Sequence, residues 1–306
     1  MEKNPFHDGE VLIQEQVGER EVAILNGRSI STRVPAAARL FLSRQRICVL
    51  ASTAADGDPW ATFVTGPAGF ASVSEDLTIL DLAITQERGA GEQAPALRSL
   101  KAGDPIGLLF IELATRRRLR INGSIARISV TGLQIAVQEA FPNCPKYIQS
   151  RQIASVNAPP PGFPLESGTE LTDTAVQWIQ RADTAFVASA HPDGRRLDAS
   201  HRGGSPGFVR IREGALLIPD YPGNSLFNTF GNFALNPRAG LTFLDFDQAR
   251  QLQLTGEVAL HFGVTEETEL TAGTGRWWTF RPQRWIASPW NTRLCWRYID
   301  ASPFNP

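Results

Sequence analysis

Two stretches of the chain repeat the same order of apolar and polar positions. Residues 41–57 match residues 178–194 at a constant offset of 137 positions. Further along, residues 118–126 parallel residues 251–259, and both stretches alternate apolar and polar side chains at the period of a half-buried strand. Ordered agreement of several blocks predicts that the fold is built from two copies of one unit.

Within each copy the pattern predicts a short helix, a strand, a tight turn, further strands, a connecting helix and a final strand pair. Asp-Gly pairs at 56–57 and 193–194 stand between apolar runs, and glycine accepts the positive φ of a hairpin turn. Several short strands with frequent glycines favour an antiparallel barrel or sandwich over a βαβ sheet.

Prolines mark a boundary between the two copies. Three of them follow one another at 159–161, and a residue without an amide hydrogen does not sustain a helix or a central strand. The predicted organisation is an N-terminal arm packed on the barrels at 1–35, a first barrel at 36–155, a proline-rich linker at 156–168 and a second barrel at 169–306.

Composition narrows the class of protein. The 306 residues are 42% hydrophobic and 20% charged, as in ordinary globular proteins, and the net charge of -1 offers no general attraction to nucleic acid or acidic lipid. The start of the chain does not resemble a secretory signal, and no apolar run approaches the length of a membrane span. Three scattered cysteines and four histidines without ligand spacing predict neither a disulfide framework nor a metal site. We therefore expect a cytoplasmic protein that binds no metal, nucleic acid or membrane.

Three segments carry a family resemblance. They are 143–148 (NCPKYI) at the end of the first copy, and 200–210 (SHRGGSPGFVR) and 220–232 (DYPGNSLFNTFGN) in the second. Together they resemble the flavin-nucleotide-binding proteins related to pyridoxamine 5'-phosphate oxidase, over most of residues 36–306. The resemblance implies a mainly β (α+β) fold of two tandem six-stranded antiparallel split barrels with short connecting helices. It also implies FMN bound at an interface between barrels.

The resemblance carries over to individual positions. The strand at 199–204 would lie along the isoalloxazine ring and ribityl chain, and the loop at 220–232 would hold the phosphate. Gln251 falls where the oxidase has a glutamine that contacts the flavin, and Arg118 holds that place in the first copy. The candidate cofactor-binding residues are Ser200, His201, Arg202, Gly203, Gly204, Asp220, Asn224, Asn228, Thr229, Asn232, Gln251 and Arg118.

One departure from the family concerns the phosphate. The oxidase's loop carries an arginine followed by a lysine, whereas this chain has Asn228 and Thr229 there. Neutral side chains lack the strength of charge-assisted hydrogen bonds. We hypothesise that Arg202, Arg210 or the arginines at 116–118 supply the missing charge if the two barrels face each other.

No catalytic residue is identified. Ser200 and His201 are neighbours on a predicted strand and point to opposite faces, so they do not make a nucleophile–base pair. Cys144, before a proline, is interpreted as a structural cysteine, with thiolate chemistry as the alternative. Flavin chemistry asks little of the protein beyond positioning the cofactor.

The sequence is compatible with three functions. The first is an FMN-dependent oxidoreductase, expected as a homodimer, that acts on an unidentified small molecule and exchanges electrons with NADH, NADPH or a separate reductase. The second is a non-catalytic protein that binds or senses flavin or haem. A third possibility is that one barrel has lost its ligand and serves only as an interface. Vitamin B6 oxidation is disfavoured because the basic phosphate loop is not reproduced.

Overall fold

The fold is described from a computed structural model. The described residues are 4–84, 95–157, 165–194, 196–290 and 293–306. Helices are few and short: α1 (Asp8–Gln16), α2 (Arg20–Gly27), α3 (Arg39–Arg44), α4 (Pro95–Arg98), α5 (Asp173–Arg181) and α6 (Asn228–Leu235), with 3-10 turns at Ala36–Ala38, Leu113–Thr115 and Thr268–Thr271. None of the helices in this part of the chain is long and apolar enough to cross a bilayer.

Two sheets with the same connectivity make up the body of the molecule. The strands of the first copy are β1 (Ile47–Thr53), β2 (Pro59–Thr65), β3 (Ala71–Val73), β4 (Ile79–Leu82), β5 (Pro105–Glu112), β6 (Arg117–Ser129) and β7 (Gly132–Asn143). Two strands follow, β8 (Ser150–Asn157) and β9 (Glu166–Gly168). The remaining strands are β10 (Thr184–Ala190), β11 (Leu197–Gly203), β12 (Arg210–Arg212), β13 (Ala215–Pro219), β14 (Arg238–Asp245), β15 (Arg250–His261), β16 (Trp277–Pro289) and β17 (Arg293–Asp300).

The strand orders confirm the duplicated, mainly β fold. The first sheet runs β2-β1-β5-β6-β7-β4-β3 and the second runs β11-β10-β14-β15-β16-β13-β12. Each path has seven strands where six were expected, because the chain folds back after β2 and β11 and adds a three-residue strand at the edge. Every ladder between described strands is antiparallel.

Strand β1 shows why the central strands are apolar throughout. Cys48 and Leu50 point into the core of the first sheet, whereas Val49 and Ala51 point into a separate cluster shared with the second sheet. Successive side chains of a strand face opposite sides, so a strand between two apolar layers carries no polar face. The two sheets therefore pack directly on each other.

Two glycines at equivalent positions let the sheets approach closely. A Cβ on Gly107 of β5 would lie 2.6 Å from the carbonyl oxygen of Leu197 on β11. A Cβ on Gly240 of β14 would lie 2.6 Å from Cα of Trp60 on β2. The two contacts are related by the pseudo-twofold relation between the copies, and each brings the backbone of one sheet against the other.

Helix α1 of the N-terminal arm lies on α6, the connecting helix of the second copy. Helix α1 begins with a capping box, in which the His7 side chain accepts from the Gly9 amide and the Glu10 carboxylate accepts from the His7 amide at 2.8 Å. Its buried Ile13 joins the core of the second copy, where α6 contributes Phe230 and Phe233. The arm thus reaches the copy that is farther away in sequence.

The ends of the two copies are also interleaved. Strand β8 pairs with β17 in a two-stranded sheet, so the last strand of the chain lies beside the strand that follows the first copy. Of the predicted linker 156–168, residues 158–164 lie outside the described residues. Its last residues form β9, which pairs with β16 of the second sheet.

Candidate ligand-binding pocket

A pocket opens where the two sheets meet beside β6 and β11. The space within it, with the open solvent at its mouth included, is about 940 Å³. The first copy contributes Arg118 and Arg120 of β6 and the segment around Cys144–Tyr147. The second copy contributes β11 residues 200–203 and most of residues 219–230. Both copies are therefore needed to form its walls.

The pocket wall is strongly cationic. Its cationic side chains are Arg118, Arg120, Lys146, Arg202 and Arg276. Among the described lining residues the one carboxylate is Asp220. An excess of cations in a partly enclosed cleft raises the local positive potential and favours an anionic ligand.

Arg120 uses its charge to join the two copies. Its side chain is buried and donates to Ser200 Oγ at 2.6 Å, to Asn228 Oδ1 at 2.8 Å and to Asp198 Oδ1 at 3.2 Å. The Ser200 hydroxyl also lies 2.7 Å from the Thr229 hydroxyl. Asn228 and Thr229 are therefore engaged in holding Arg120 and β11 in place.

Arg118 is compensated far less. Its Nη2 donates to the Cys144 carbonyl oxygen, and its buried Nε has no hydrogen-bond partner among the described residues. Burial, together with the nearby charges of Arg120 and Arg202, lowers the pKa of Arg118 to about 9. A ligand anion is the group that would complete this side chain's contacts.

Arg202 faces the same pocket from β11. Its Nη1 lies 3.5 Å from Asp220 Oδ1, and its Nε also lacks a partner within the described chain. Burial lowers its pKa, and Asp220 opposes that shift. Asp220 is shared, because its Oδ2 also accepts from Arg276 Nε at 2.9 Å. The single carboxylate of the wall therefore serves two guanidinium groups.

His201 is held neutral in the wall. Its ring packs edge-on against Phe186 with centroids 5.5 Å apart, and its Nε2 is buried without a partner among the described groups. Burial, reinforced by the charges of Arg118 and Arg202, lowers the pKa of His201 well below 6.5. The ring is consequently available as a neutral hydrogen-bonding group toward a ligand.

The loop between β13 and α6 forms one wall and is held by the N-terminal arm. Asn26 donates to the Asn224 carbonyl oxygen at 2.8 Å, and Gln14 donates to the Leu226 carbonyl oxygen at 3.0 Å. The loop contains two non-glycine residues with positive φ, Ser225 at 60° and Phe227 at 57°. Such conformations persist when surrounding contacts impose them, and the arm supplies those contacts.

Two tyrosines join the copies at the pocket. The rings of Tyr147 and Tyr221 have centroids 4.7 Å apart, and the Tyr147 hydroxyl donates to the Pro222 carbonyl oxygen at 3.0 Å. Burial raises the pKa of both phenols, so they are neutral at ordinary pH. They provide an aromatic surface beside the cations.

The structure gathers most of the predicted site residues. Those that line the pocket are Arg118, Ser200, His201, Arg202, Gly203, Asp220, Asn224, Asn228 and Thr229. Gly204, Asn232 and Gln251 lie outside that wall. Asn232 donates to Ser189 and Asp198, and Gln251 accepts a hydrogen bond from the Phe63 amide of β2. Gly204 follows directly after β11, and its amide donates to the Asp183 carbonyl oxygen.

The structure also shows which of the arginines considered as a source of positive charge for the phosphate line the pocket. Arg210 pairs with Glu267 at 2.6 Å, Arg116 pairs with Asp300 at 2.5 Å, and Arg117 lies over the Phe41 ring, all outside the pocket wall. Arg118 and Arg202 are the two candidates that reach it.

Arg276 was not anticipated from the sequence. Its partners Asp220 and Glu19 are 56 and 257 residues away along the chain, so no local motif marks it. Tyr147 and Tyr221 did lie within the family-like segments, but nothing in the sequence pairs them. No cluster of three or more His, Cys, Asp or Glu side chains suited to a metal ion occurs in the described part of the chain.

Comparison with known proteins agrees with the duplicated architecture. The sequence model of pyridoxamine 5'-phosphate oxidase matches residues 34–151 and again residues 171–283. No curated protein matches the chain. Among solved structures, HupZ from Group A Streptococcus is similar to this chain with 12% identity and a TM-score of 0.30, covering 37% of this chain and 89% of its own. An FAD-binding protein from Mesorhizobium loti has 9% identity and a TM-score of 0.30, covering 42% of this chain and 99% of its own.

Proposed function

Because this chain belongs to the pyridoxamine 5'-phosphate oxidase family, we propose that it is a flavoprotein that binds FMN in the pocket between β6 and β11 and acts as an oxidoreductase. The observation that carries the proposal is the set of buried, incompletely paired cations that both copies direct into one cleft. A phosphorylated planar cofactor matches both the charge and the aromatic surface of that cleft.

The described residues fit such a cofactor. Arg118 Nε, Arg202 Nε and His201 Nε2 are buried nitrogens that have no partner among the described residues. A ligand with several acceptor atoms and at least one donor would satisfy them. Ser200–Gly203 would run along the ring system, and the loop at 220–229 would face the phosphate, as the family resemblance implies. Bound flavin supplies the hydride or electron chemistry, while the protein positions it and excludes competing reactions.

We propose that the positive charge that binds the phosphate comes from two strands, β6 and β11, instead of from the loop before α6. Asn228 and Thr229 are committed to Arg120 and Ser200, so their part is to place Arg120 and β11. Arg118 and Arg202 then contribute the guanidinium groups that the phosphate loop itself lacks. A cation supplied across the junction of the copies makes binding depend on their correct packing.

The first experiment is the absorption spectrum of the protein purified without added cofactor. An oxidised-flavin spectrum supports the proposal, and a Soret band supports the haem-binding alternative. Steady reduction by NADH or NADPH with turnover of an acceptor supports an oxidoreductase over a storage or sensing protein. A colourless protein that does not bind added FMN contradicts the proposed function.

The second experiment tests the assigned charge. Arg118→Gln is expected to weaken FMN binding by roughly 10-fold to 100-fold, since a hydrogen bond to a charged group contributes about 1.5–3 kcal/mol. Fluorescence titration of FMN gives the dissociation constants. Arg210→Gln is the matched control, because Arg210 is paired with Glu267 outside the pocket. Equal affinities of Arg118→Gln and Arg210→Gln would contradict the role of Arg118.

The proposal also covers the cellular compartment, the oligomeric state and the electron donor. We propose a cytoplasmic homodimer that receives electrons from a nicotinamide nucleotide or a separate reductase and passes them to a small molecule. The three cysteines are free thiols, which supports a reducing compartment.

We also propose the domain division 1–35, 36–155, 156–168 and 169–306, which the two sheets and the repeated family match support. Limited proteolysis tests the division, and analytical ultracentrifugation tests the dimer.

A further inference from the structure

The pseudo-twofold relation between the copies creates a second candidate cleft. The pocket uses β11 and β6, and their equivalents are β2 and β15. In the ladders, Val49 lies opposite Phe63 and its counterpart Phe186 lies opposite His201, so Phe63 takes the place of His201. The second cleft would therefore lie between β2 and β15.

The same alignment identifies the counterparts of the pocket arginines. Leu109 lies opposite Arg120, and its counterpart Thr242 lies opposite Gln253. Arg120 thus corresponds to Gln253, and two positions earlier Arg118 corresponds to Gln251. On the other wall, Arg202 corresponds to Val64. All three guanidinium groups are replaced by neutral side chains in the second cleft.

The two glutamines are bonded to β2. The Phe63 amide donates to Gln251 Oε1 at 2.9 Å, and Gln251 Nε2 donates back to the Phe63 carbonyl oxygen at 3.4 Å. Thr62 Oγ1 donates to Gln253 Oε1 at 3.0 Å. In the pocket, Arg118, the counterpart of Gln251, makes no such bond to the described residues of β11. The polar groups that would recognise a ligand are here used to join β15 to β2.

A tryptophan fills the remaining space. Ser288 lies opposite Gln251 as Asn143 lies opposite Arg118, so Trp290 follows β16 where the pocket has the segment after Asn143. The indole is 2% exposed, and its centroid is 4.9 Å from that of Phe63. An aromatic side chain of this size, packed in the apolar cluster between the sheets, occupies the volume that a ligand would need.

We propose that the chain binds one flavin, in the pocket between β6 and β11, and that the equivalent cleft between β2 and β15 is a permanently closed clamp that holds the two copies together. This inference rests on the proposed function. The two equivalent junctions therefore have different functions. The cationic junction binds the flavin, and the neutral junction holds the two copies together. One flavin per chain is the direct consequence.

Stoichiometry tests the inference. Titration of the full chain with FMN, against a protein concentration fixed by amino-acid analysis, is expected to reach saturation at one FMN per chain. Two per chain would overturn the single-site inference and leave the proposed function intact. No binding at all would overturn both, so the two failures are distinguishable.

A pair of variants locates the site. Arg118→Gln is expected to weaken all FMN binding by about 10-fold or more, in a single phase. Trp290→Phe keeps an aromatic ring in the clamp and is expected to leave the FMN affinity and the count unchanged. A residual phase of wild-type affinity in Arg118→Gln would overturn the inference, as would loss of the single FMN in Trp290→Phe while that variant still unfolds cooperatively.

Discussion

Arg118 and Arg120 lie two positions apart on the same face of β6, yet their charges are compensated very differently. Arg120 meets a carboxylate, an amide oxygen and a hydroxyl from the other copy, whereas Arg118 meets one backbone carbonyl. A buried charge without counter-charge is costly unless a ligand supplies it. Among the described residues, Arg118 therefore lacks the side-chain acceptors that pair with Arg120. This difference between two neighbouring arginines distinguishes the pocket from a packed interface.

The protonation state of His201 gives a prediction at the same scale. Its pKa is lowered by burial and by two neighbouring guanidinium groups, so the folded protein keeps the ring neutral below pH 6.5. FMN affinity between pH 6 and 8 is therefore expected to show no step from His201, and His201→Gln should reproduce the wild-type pH profile even if its absolute affinity differs. Fluorescence titration at half-unit intervals is the measurement. A step near pH 6.5 that disappears in His201→Gln would refute the neutral assignment.

At the scale of elements, helix α1 couples the N-terminal arm to the floor of the pocket. Glu10 is 4% exposed, caps the start of α1 and accepts a hydrogen bond from Asn228 at the start of α6. Asn228 in turn accepts from Arg120. A carboxyl group of the arm is thus two hydrogen bonds away from the junction of the copies, and its protonation affects an element that shapes the pocket.

Glu10 makes stability depend on pH. Burial, together with the charge of Asp198, raises its pKa from 4.5 to about 8. The folded state therefore holds a proton that the unfolded chain releases, and this stabilisation is complete below pH 4.5 and lost as pH rises toward 8. Between pH 6.5 and 8 the free energy of unfolding is expected to fall by about 1–2 kcal/mol more in the wild type than in Glu10→Gln.

Urea denaturation at several pH values measures this difference. The range above pH 6.5 is chosen because His7, whose pKa burial lowers to about 4, is neutral there in the folded protein, and its remaining titration in the unfolded chain is common to the wild type and Glu10→Gln. Glu15→Gln is the matched control on the exposed side of the same helix, and it should follow the wild type. Parallel curves for the wild type and Glu10→Gln would rule out a protonated Glu10.

At the scale of the whole molecule, the direct packing of the two sheets makes the pocket possible. Its walls come from both copies, so any change in the distance between the sheets alters the spacing of the cations. Two close approaches between the sheets are backbone to backbone, at Gly107 against Leu197 and at Gly240 against Trp60. Neither contact has a flexible side chain that could move aside.

Gly240→Ala tests that packing. The added methyl would meet Trp60 Cα at 2.6 Å, and we expect a loss of about 1–3 kcal/mol in the free energy of unfolding because the sheets must separate. FMN affinity should fall as well, although Gly240 does not line the pocket. Gly223→Ala is the control for stability, since the nearest atom to its added Cβ is 4.0 Å away. If Gly240→Ala is as stable as this control, the close approach does not hold the sheets.

Local pattern alone is enough to predict the duplication and the strands, and the family resemblance marks the segments that line most of the pocket. The matching blocks at 41–57 and 178–194 each form a helix, a strand and an Asp-Gly turn, because alternation and turn chemistry act over a few residues. Of the ten candidate residues in the family-like segments, eight line the pocket wall, and Arg118 of β6 is the ninth candidate found there.

Tertiary structure decides which of two equivalent junctions is open. Arg118 and Gln251 hold matching places in the repeat, but one faces a cavity and the other is bonded to β2. The difference depends on Trp290, on the N-terminal arm and on the pairing of Arg120 with Asn228, which is 108 residues away. Burial and charge compensation depend on partners that are distant in sequence, so the residues themselves do not reveal which junction has room for a ligand.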